Sequence, residues 1–271
     1  MSWLHLTLLA LIQGLTEFLP VSSSAHLILP AQLFGWQDQG PLIDVMAHFG
    51  SLFAVIAYFR QDVRDIFLGM IDLFKRQLNT RSMLALNLII ATPPALLLAL
   101  ILRSNGLDEA IRSPLIIAIT TISFGVLLWL SDIWGKKTQT TDDLTWKGAF
   151  GLGLAQAVAL IPGTSRSGIT MTAARAMGFT REEAARFSMI MSLPIIGVGG
   201  LYAFYKLMVN EKADLAGASI ADGLWVALLS FLAAFTCISL FMRWISRIGM
   251  LPFMIYRLFL GSALIIWIFI F

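Results

Sequence analysis

Residues 147 to 178 are KGAFGLGLAQAVALIPGTSRSGITMTAARAMG, an apolar run interrupted at Pro162 by hydroxyl residues and one arginine. A second apolar run, residues 3 to 34, is interrupted in the same way at Pro20 by the segment VSSSAH that follows it. Non-helical backbone at membrane depth is tolerated only where protein or a water-filled cavity satisfies its polar groups. Each run is therefore predicted to be a re-entrant hairpin of two half-helices, and the two breaks are predicted to build one shared polar site.

The rest of the chain has the composition of a multi-span membrane protein. Of its 271 residues, 58% are hydrophobic and 13% are charged, whereas soluble domains carry about 25% charged residues. Six further stretches are long and apolar enough to cross a bilayer as helices: residues 42–59, 83–103, 113–132, 184–205, 223–242 and 250–271. Small residues in the fourth stretch indicate close helix packing there: Gly197, Gly199 and Gly200. The predicted fold is an all-α polytopic membrane protein with six transmembrane helices and two re-entrant hairpins, forming a single domain over 1–271.

The distribution of charge predicts the orientation in the membrane. If both hairpins enter and leave on one side, most of the 19 Lys and Arg residues share one face, in the connections near 60–82 and 132–147 and in residues 175–186 and 243–249. By the positive-inside rule that face is cytoplasmic, which puts both termini outside. The net charge of +3 follows from this topology. Nucleic-acid binding is not predicted, because the basic residues form no stripe with interleaved aromatic residues.

The two breaks also resemble each other. Aligning their prolines sets GLTEFLPVSSSAH against QAVALIPGTSRSG, which pairs Ser22 with Thr164 and Ser23 with Ser165. Because three predicted spans separate the copies, the second copy is inverted relative to the first. Membrane proteins that assemble a midplane site from broken helices have this arrangement. The predicted inverted-topology repeats cover about 1–132 and 147–271.

The first break carries groups suited to catalysis and to cation binding. Glu17 is the one acidic residue deep inside an apolar run, and Gln13 lies one turn earlier on the same helical face. Ionisable groups in such runs are costly, which makes them functional hypotheses, and the two oxygen donors suit a hard divalent cation. The alternative is a structural glutamate bonded to a helix terminus. The groups that follow are candidates for nucleophilic and acid–base catalysis, although a serine there is also an ordinary helix N-cap: Ser22, Ser23, Ser24 and His26.

The second break has the residues of a phosphate-binding loop. Arg166 lies in PGTSRSGIT, where a helix can start, and backbone N–H groups at a helix start together with a guanidinium fork cradle phosphate. The alternative is that Arg166 pairs with Glu17 to neutralise both charges. Arg257 is also membrane-embedded, but no role follows from the sequence around it. The candidate substrate-binding hydroxyls of this break are Thr164, Ser165, Ser167 and Thr170.

These segments resemble the undecaprenyl-diphosphate phosphatases, also called bacitracin-resistance proteins. Residues 13–17 are similar to the (E/Q)xxxE motif of that family, and residues 22–26 to its adjoining Ser/His segment. PGTSRSGIT, residues 162–170, is similar to its PGxSRSxxT motif. The similarity covers essentially the whole chain, and the two motifs occur in the family's order and spacing.

The resemblance implies an enzyme of the bacterial cytoplasmic membrane that hydrolyses undecaprenyl diphosphate to the monophosphate. The product is the lipid carrier for peptidoglycan and other envelope polymers, so the enzyme recycles that carrier. The resemblance further implies a divalent cation, Mg²⁺ or Ca²⁺, and a site that opens to the periplasmic side. Bacitracin would compete for the substrate rather than bind the protein. A homodimer stays open as the assembly.

Site residues carried over from the resemblance fall in both breaks. Glu17 takes the catalytic or metal-associated position, with Gln13 beside it as a second candidate metal ligand. Because Gln13 is not acidic, a metal site with two carboxylates is not expected here. The other positions that match the family's motifs are Ser23 and His26 in the first break and Ser165, Arg166, Ser167 and Thr170 in the second.

One alternative function stays open, a transporter or flippase for a polyprenyl phosphate lipid, because inverted repeats with broken helices are typical of secondary transporters. A transporter would not need hydroxyl, imidazole, carboxylate and guanidinium groups around a scissile phosphate. The type-2 phosphatidic acid phosphatases are excluded, since their mechanism needs a further histidine downstream and no histidine follows Arg166.

Overall fold

A computed structural model of the chain describes residues 2–23, 25–26, 40–106, 113–134, 138–209 and 219–270. Within these residues the fold is all-α, with one isolated bridge between Gln139 and Phe179 and no β-strand. The helices are α1 Trp3–Thr16, α2 Gly40–Tyr58, α3 Arg60–Phe74, α4 Thr80–Ala91, α5 Pro93–Ser104, α6 Pro114–Ile133, α7 Trp146–Val158, α8 Arg166–Ala176, α9 Arg181–Val209, α10 Ile220–Ile248 and α11 Leu251–Ile270.

Five described segments are long and apolar enough to cross a membrane: Thr80–Ser104, Pro114–Ile133, Arg181–Tyr202, Ile220–Ile248 and Leu251–Ile270. A sixth candidate combines Leu42–Tyr58 with Arg60–Phe74. The first segment joins α4 and α5, which are separated at Thr92 because Pro93 and Pro94 lack the N–H donors that would continue the ladder. The prediction of an all-α protein with several membrane-spanning helices is confirmed.

The connection predicted near 60–82 is not irregular. It contains α3, a 15-residue helix that packs against α4. An added Cβ on Gly69 of α3 would lie 2.2 Å from the carbonyl oxygen of Arg81, so only glycine permits this approach. The segment lacks a continuous apolar run because one side of α3 is charged and the other apolar, so hydropathy alone assigned it to a loop.

The half-helices of the second predicted hairpin are short. α7 has 13 residues and α8 has 11, fewer than the roughly 20 that a spanning helix needs. The two helices pack against each other and are joined by residues 159–165. In the first hairpin, the 14 residues of α1 lead into a turn over 17–21, while 27–39 lie outside the described residues. Re-entry on one side of the membrane stays a prediction.

The described chain packs as two compact units. The first unit comprises Met1–Leu19, Ser23–Phe59 and Ser192–Phe241. Its core joins α1, α2 and α10 through buried side chains that include Leu6, Ile43 and Val226. Gly14 brings α1 close to α10, because its added Cβ would lie 2.7 Å from the carbonyl oxygen of Ser230.

The glycines that permit close packing are not those expected from the sequence. An added Cβ at Gly197 or Gly199 meets no described atom within 4 Å, so the prediction is wrong for both. At Gly200 it would lie 3.0 Å from the ring of Phe49. The tightest approach in this unit is instead at Gly50, whose Cβ would lie 2.2 Å from the carbonyl oxygen of Ala227.

The second unit comprises Pro20–Ser22, Arg60–Met191 and Met242–Phe271. In it α6 packs against α8 and α11, and α7 packs against α4, α5 and α8. A buried carboxylate, Asp132 at the end of α6, accepts ion pairs from Arg175 of α8 at 3.0 Å and Arg181 of α9 at 2.8 Å. These bonds tie three helix ends together. The two units do not follow the predicted sequence repeats, which stay a prediction.

Candidate functional site

The first break places a carboxylate where two side chains donate to it. Glu17 follows the last turn of α1 and is 8% exposed. Its Oε2 accepts from Nε2 of Gln13 at 3.0 Å and from Oγ of Ser23 at 3.1 Å. Gln13 can reach because residues four apart share a helical face, and Ser23 can reach because the turn over 17–21 brings the chain back toward α1. The structure therefore joins Gln13, Glu17 and Ser23 in one cluster of the first unit.

The dipole of α1 gives this cluster an electrostatic preference for positive charge. The negative end of the α1 dipole lies at Glu17, where it disfavours a buried carboxylate. Oε1 of Gln13 is buried and has no hydrogen-bond partner among the described residues. A carboxylate and an unused amide oxygen are hard oxygen donors, which Mg²⁺ and Ca²⁺ prefer. The residues present thus fit a divalent cation.

A divalent cation bound by Glu17 and Gln13 would take the rest of its ligands from outside these two side chains. The described residues contain no group of three or more His, Cys, Asp and Glu side chains that could hold a metal. Mg²⁺ is commonly bound through one or two carboxylates and completes its shell with water and substrate phosphate oxygens. A cation at Glu17 would do the same.

The remaining predicted residues of the first break are placed as follows. Ser22 is buried and has a positive φ of 73°. His26 is half-buried, three residues after Ser23. Ser24 lies outside the described residues, so its predicted role in substrate binding is not addressed.

The second break forms the N-terminus of α8. Ser165 caps this helix, since its Oγ accepts from the N–H of Gly168 at 3.1 Å. Oγ of Ser167 lies 3.2 Å from Oγ of Ser165. The positive end of the α8 dipole and the two hydroxyl groups face the same turn, a combination that favours an anion.

Arg166 and Thr170 point toward α9. The guanidinium of Arg166 is half-buried and one of its nitrogens donates to the carbonyl oxygen of Ser188 at 3.5 Å. The hydroxyl groups of Thr170 and Ser188 are 2.6 Å apart. Ser188 was not predicted from the sequence, where a serine inside an apolar helix carries no distinguishing signal.

Arg257 is the main residue that sequence reasoning missed. It is 0% exposed on α11 and donates to backbone carbonyl oxygens of Thr121 at 2.9 Å, Gly163 at 2.9 Å and Thr164 at 3.0 Å. It also donates to the carbonyl oxygen of Pro20 at 3.4 Å. One guanidinium therefore holds backbone from both breaks. The signal was an arginine in an apolar run, which marks a costly group but does not reveal its partners.

Small residues make room for this arrangement. Gly163 has a φ of 87°, and an added Cβ would lie 2.2 Å from Oγ1 of Thr120. That hydroxyl donates to the carbonyl oxygen of Pro162 at 2.6 Å. At Gly168 an added Cβ would lie 2.8 Å from the guanidinium of Arg257. The loop can adopt this path only with glycine at both positions.

Two buried polar side chains beside the second break have unused hydrogen-bonding capacity. Neither amide atom of Gln156, on α7, has a hydrogen-bond partner among the described residues, and the same holds for Oγ1 of Thr164. Both residues are at most 2% exposed. Buried polar groups are normally bonded to protein, water or a ligand, so this region has capacity for a polar guest.

The two breaks share backbone features. The residues that match in conformation are offset by one position from the pairs that the proline alignment gave. Positive φ angles pair Ser22 at 73° with Ser165 at 69°. Bonds from Arg257 likewise pair the carbonyl oxygen of Pro20 with that of Gly163. The alignment had paired Ser22 with Thr164.

Comparison with known proteins agrees with these motifs. A family model described as "Bacitracin resistance protein BacA" matches residues 6–263. The chain belongs to the BacA family. Relatives align with the chain over 99–100% of their own length, and both breaks lie inside the region that the family model matches.

Three of these relatives are named for an enzymatic activity. The "Undecaprenyl-diphosphatase" of Maricaulis maris is 49% identical over 267 residues, covering 98% of this chain and 99% of the relative. The "Undecaprenyl-diphosphatase 1" of Pseudoalteromonas translucida is 48% identical, covering 99% of each chain. The "Undecaprenyl-diphosphatase" of Chromohalobacter salexigens is 48% identical, covering 99% of this chain and 100% of the relative.

Proposed function

We propose that this chain is an undecaprenyl-diphosphate phosphatase. It hydrolyses undecaprenyl diphosphate to undecaprenyl phosphate and inorganic phosphate, and so recycles the lipid carrier for cell-wall synthesis. The observation that carries the proposal is the near-full-length identity of 46–49% to relatives named for this activity. The clusters at Glu17 and at Ser165 supply the chemical groups that the reaction needs. Bacitracin sequesters undecaprenyl diphosphate. Hydrolysis of this lipid to the monophosphate removes the target of the antibiotic, which accounts for the resistance in the family name.

The second break binds the diphosphate. The N-terminus of α8, the hydroxyl groups of Ser165, Ser167 and Thr170, and the guanidinium of Arg166 hold its phosphate oxygens. Arginine suits this role because its planar fork binds two oxygens at once. Phosphoryl transfer depends mainly on such positioning and on stabilising developing charge.

The first break attacks the terminal phosphorus. Oγ of Ser23 donates a hydrogen bond to Oε2 of Glu17 at 3.1 Å, which is within the distance expected between a nucleophile and its base. Oγ of Ser23 forms a bond to the terminal phosphorus, its proton passes to the carboxylate, and the bond from that phosphorus to the bridging oxygen breaks. Undecaprenyl phosphate leaves, and water then hydrolyses the phosphoserine to release inorganic phosphate. His26 serves as the acid–base group for the leaving oxygen and the water.

A bound Mg²⁺ or Ca²⁺ would be held by Glu17 and Gln13 and would offset the charge of the diphosphate oxygens. The isoprenoid tail of the substrate lies among apolar helix faces in the cytoplasmic membrane, and the site opens to the periplasm with both termini on that side. A homodimer is the assembly we propose. Bacitracin competes for the substrate and does not bind the chain.

The test is phosphate release by purified protein given undecaprenyl diphosphate, with chelator and after adding back Mg²⁺ or Ca²⁺. We expect release that the chelator abolishes and the cations restore. Ser23→Ala should abolish release. Ser230→Ala is the matched control, because this buried serine of the same unit only donates to the carbonyl oxygen of Ala10. Absence of release with every cation, together with transfer of the lipid across vesicles, would favour the transporter instead.

The covalent step has a separate readout. Substrate labelled with ³²P in its terminal phosphate should leave label on acid-quenched protein, and Ser23→Ala should remove that label. Turnover without any labelled protein, even at early quench times, would favour direct attack by water with Glu17 as the base.

A further inference from the structure

Four apolar side chains form one outward face of α3, called the α3 face below. Their exposed fractions are 60% for Phe67, 38% for Met70, 36% for Ile71 and 91% for Phe74. The spacing of three and four residues places them on a single side of the helix. The opposite side of α3 packs on α4 at Gly69, so the α3 face is not the face that α4 covers.

Cations lie at both ends of the α3 face. They are Arg60 and Arg64 in its first turns and Lys75 and Arg76 just after its end, all exposed and without an ion-pair partner among the described residues. Of the three carboxylates of α3, Asp62 pairs with Arg186 and Asp65 pairs with Arg81 at 3.0 Å, whereas Asp72 accepts from the neutral amide of Asn79 at 2.9 Å and keeps its charge. The apolar face is therefore flanked by four exposed cations, which outnumber the one α3 carboxylate, Asp72, that has no ion-pair partner among the described residues.

These observations exclude a deep position for α3 in the bilayer. Arg60 and Arg64 are exposed in the first turns of α3, and an arginine at the centre of the hydrocarbon is strongly unfavourable. Full exposure to water would instead leave an unbroken apolar patch that includes a phenylalanine side chain 91% exposed. An apolar face with basic residues at its margins is typical of helices that lie in the membrane interface.

We infer that the α3 face binds the membrane surface and that its four cations bind the headgroups of anionic lipids. The apolar side chains enter the boundary between headgroups and acyl chains, while Arg60, Arg64, Lys75 and Arg76 contact lipid phosphates. Anionic lipids are abundant on the cytoplasmic leaflet, the side to which the positive-inside rule assigns this connection. This site is separate from the phosphatase proposal and does not depend on it.

The test measures the depth of a spin label in vesicles. The label is attached at Phe74→Cys in a Cys237→Ser background. Gln77→Cys, in the exposed loop after α3, is the control for a position in water. Phe259→Cys, 73% exposed on the apolar helix α11, is the control for a position in lipid. Accessibility to oxygen and to a water-soluble nickel complex is compared in phosphatidylcholine vesicles with and without phosphatidylglycerol. We expect the label at position 74 to be shielded from nickel only in anionic vesicles, while both controls stay unchanged.

Charge-removing variants test the headgroup contacts. Arg60→Gln with Arg64→Gln, and Lys75→Gln with Arg76→Gln, are made as two separate double variants, and thermal transitions confirm that each is folded. Because each basic residue near an anionic surface shifts the binding equilibrium roughly fivefold, each pair should shift it about 25-fold. The shielding of position 74 in anionic vesicles should decrease accordingly.

Three results would overturn the inference. Nickel accessibility at position 74 that is equally high in both kinds of vesicle would show that the α3 face lies in water. Equal shielding in both kinds, unaffected by the double variants, would show apolar contact without recognition of headgroups. Shielding that appears only at high ratios of protein to lipid would show that the face binds another protein molecule.

Discussion

Replacing Arg257 with lysine should lower the enzyme's activity, because lysine cannot hold the backbone of the second break in place. The guanidinium makes three bonds of 2.9–3.0 Å to backbone carbonyl oxygens, of which two belong to the second break. A lysine ammonium at the same position lacks the planar fork, so we expect it to satisfy one of the three. Bonds from charged donors contribute about 1.5–3 kcal/mol each, so losing two removes about 3–6 kcal/mol. Native proteins are stable by only about 5–15 kcal/mol in total.

The effect on turnover should exceed the effect on folding. Gly163 and Thr164, whose carbonyl oxygens lose their donor, immediately precede Ser165 and Arg166. A displacement of about 1 Å in a positioning element costs about 100-fold in rate. We therefore expect Arg257→Lys to lower kcat about 100-fold at a temperature where the variant is folded, with a smaller change in KM.

The assay combines thermal unfolding in detergent with kcat and KM for phosphate release. Arg175→Lys is the matched control, because Arg175 is also buried in the second unit but bonds to Asp132, near the opposite end of α8. We expect that control to lower the unfolding temperature and keep most of its turnover. If Arg257→Lys kept a normal kcat, or lost activity only in proportion to its unfolded fraction, Arg257 would not position the loop.

Three further substitutions test individual groups. Glu17→Gln should abolish turnover and weaken the dependence on added cation; an unchanged Mg²⁺ titration of any residual activity would show that Glu17 is not a metal ligand. Arg166→Lys should sharply reduce phosphate release because the bidentate fork is lost, and near-normal turnover by folded protein would remove Arg166 from the mechanism. Gly163→Ala should destabilise by more than the roughly 1–3 kcal/mol of a positive φ alone, since its Cβ would also lie 2.2 Å from Oγ1 of Thr120. Gly106→Ala is its control, with a φ of 64° and open space around it, and equal losses in unfolding temperature would refute the steric argument.

Local physics explains which features the sequence predicted. Spanning helices follow from unbroken apolar runs, and the bond from Gln13 to Glu17 follows from a spacing of four on one helical face. The helices α1 and α7 end shortly before Pro20 and Pro162, as expected from residues that cannot continue a helix. All of these depend on residues that are close along the chain, where residue type and periodicity carry the information.

Contacts between distant residues were not predictable in the same way. Arg257 lies more than 90 residues from Gly163, and its partners are backbone carbonyl oxygens, which every residue type has. No residue pattern therefore marks the contact. The helix α3 was missed for a different reason, because its apolar residues are spread over one face and its mean hydropathy is low. Its 15-residue length and its packing at Gly69 became apparent only in the structure.

The one-residue shift between the two breaks changes how their chemistry compares. Aligning prolines assumed that residue type marks the equivalent position, yet the positive φ pairs Ser22 with Ser165. Serine rarely adopts this conformation, and such strain persists where the surrounding structure imposes it. On this pairing, the residue after the strained serine is Ser23 in one break and Arg166 in the other. In the proposed mechanism, the same backbone position then carries the attacking hydroxyl in the first break and the phosphate-binding guanidinium in the second. On that proposal, the breaks share a conformation because each presents one side chain to the substrate, and they differ in sequence because the two side chains have different chemical roles.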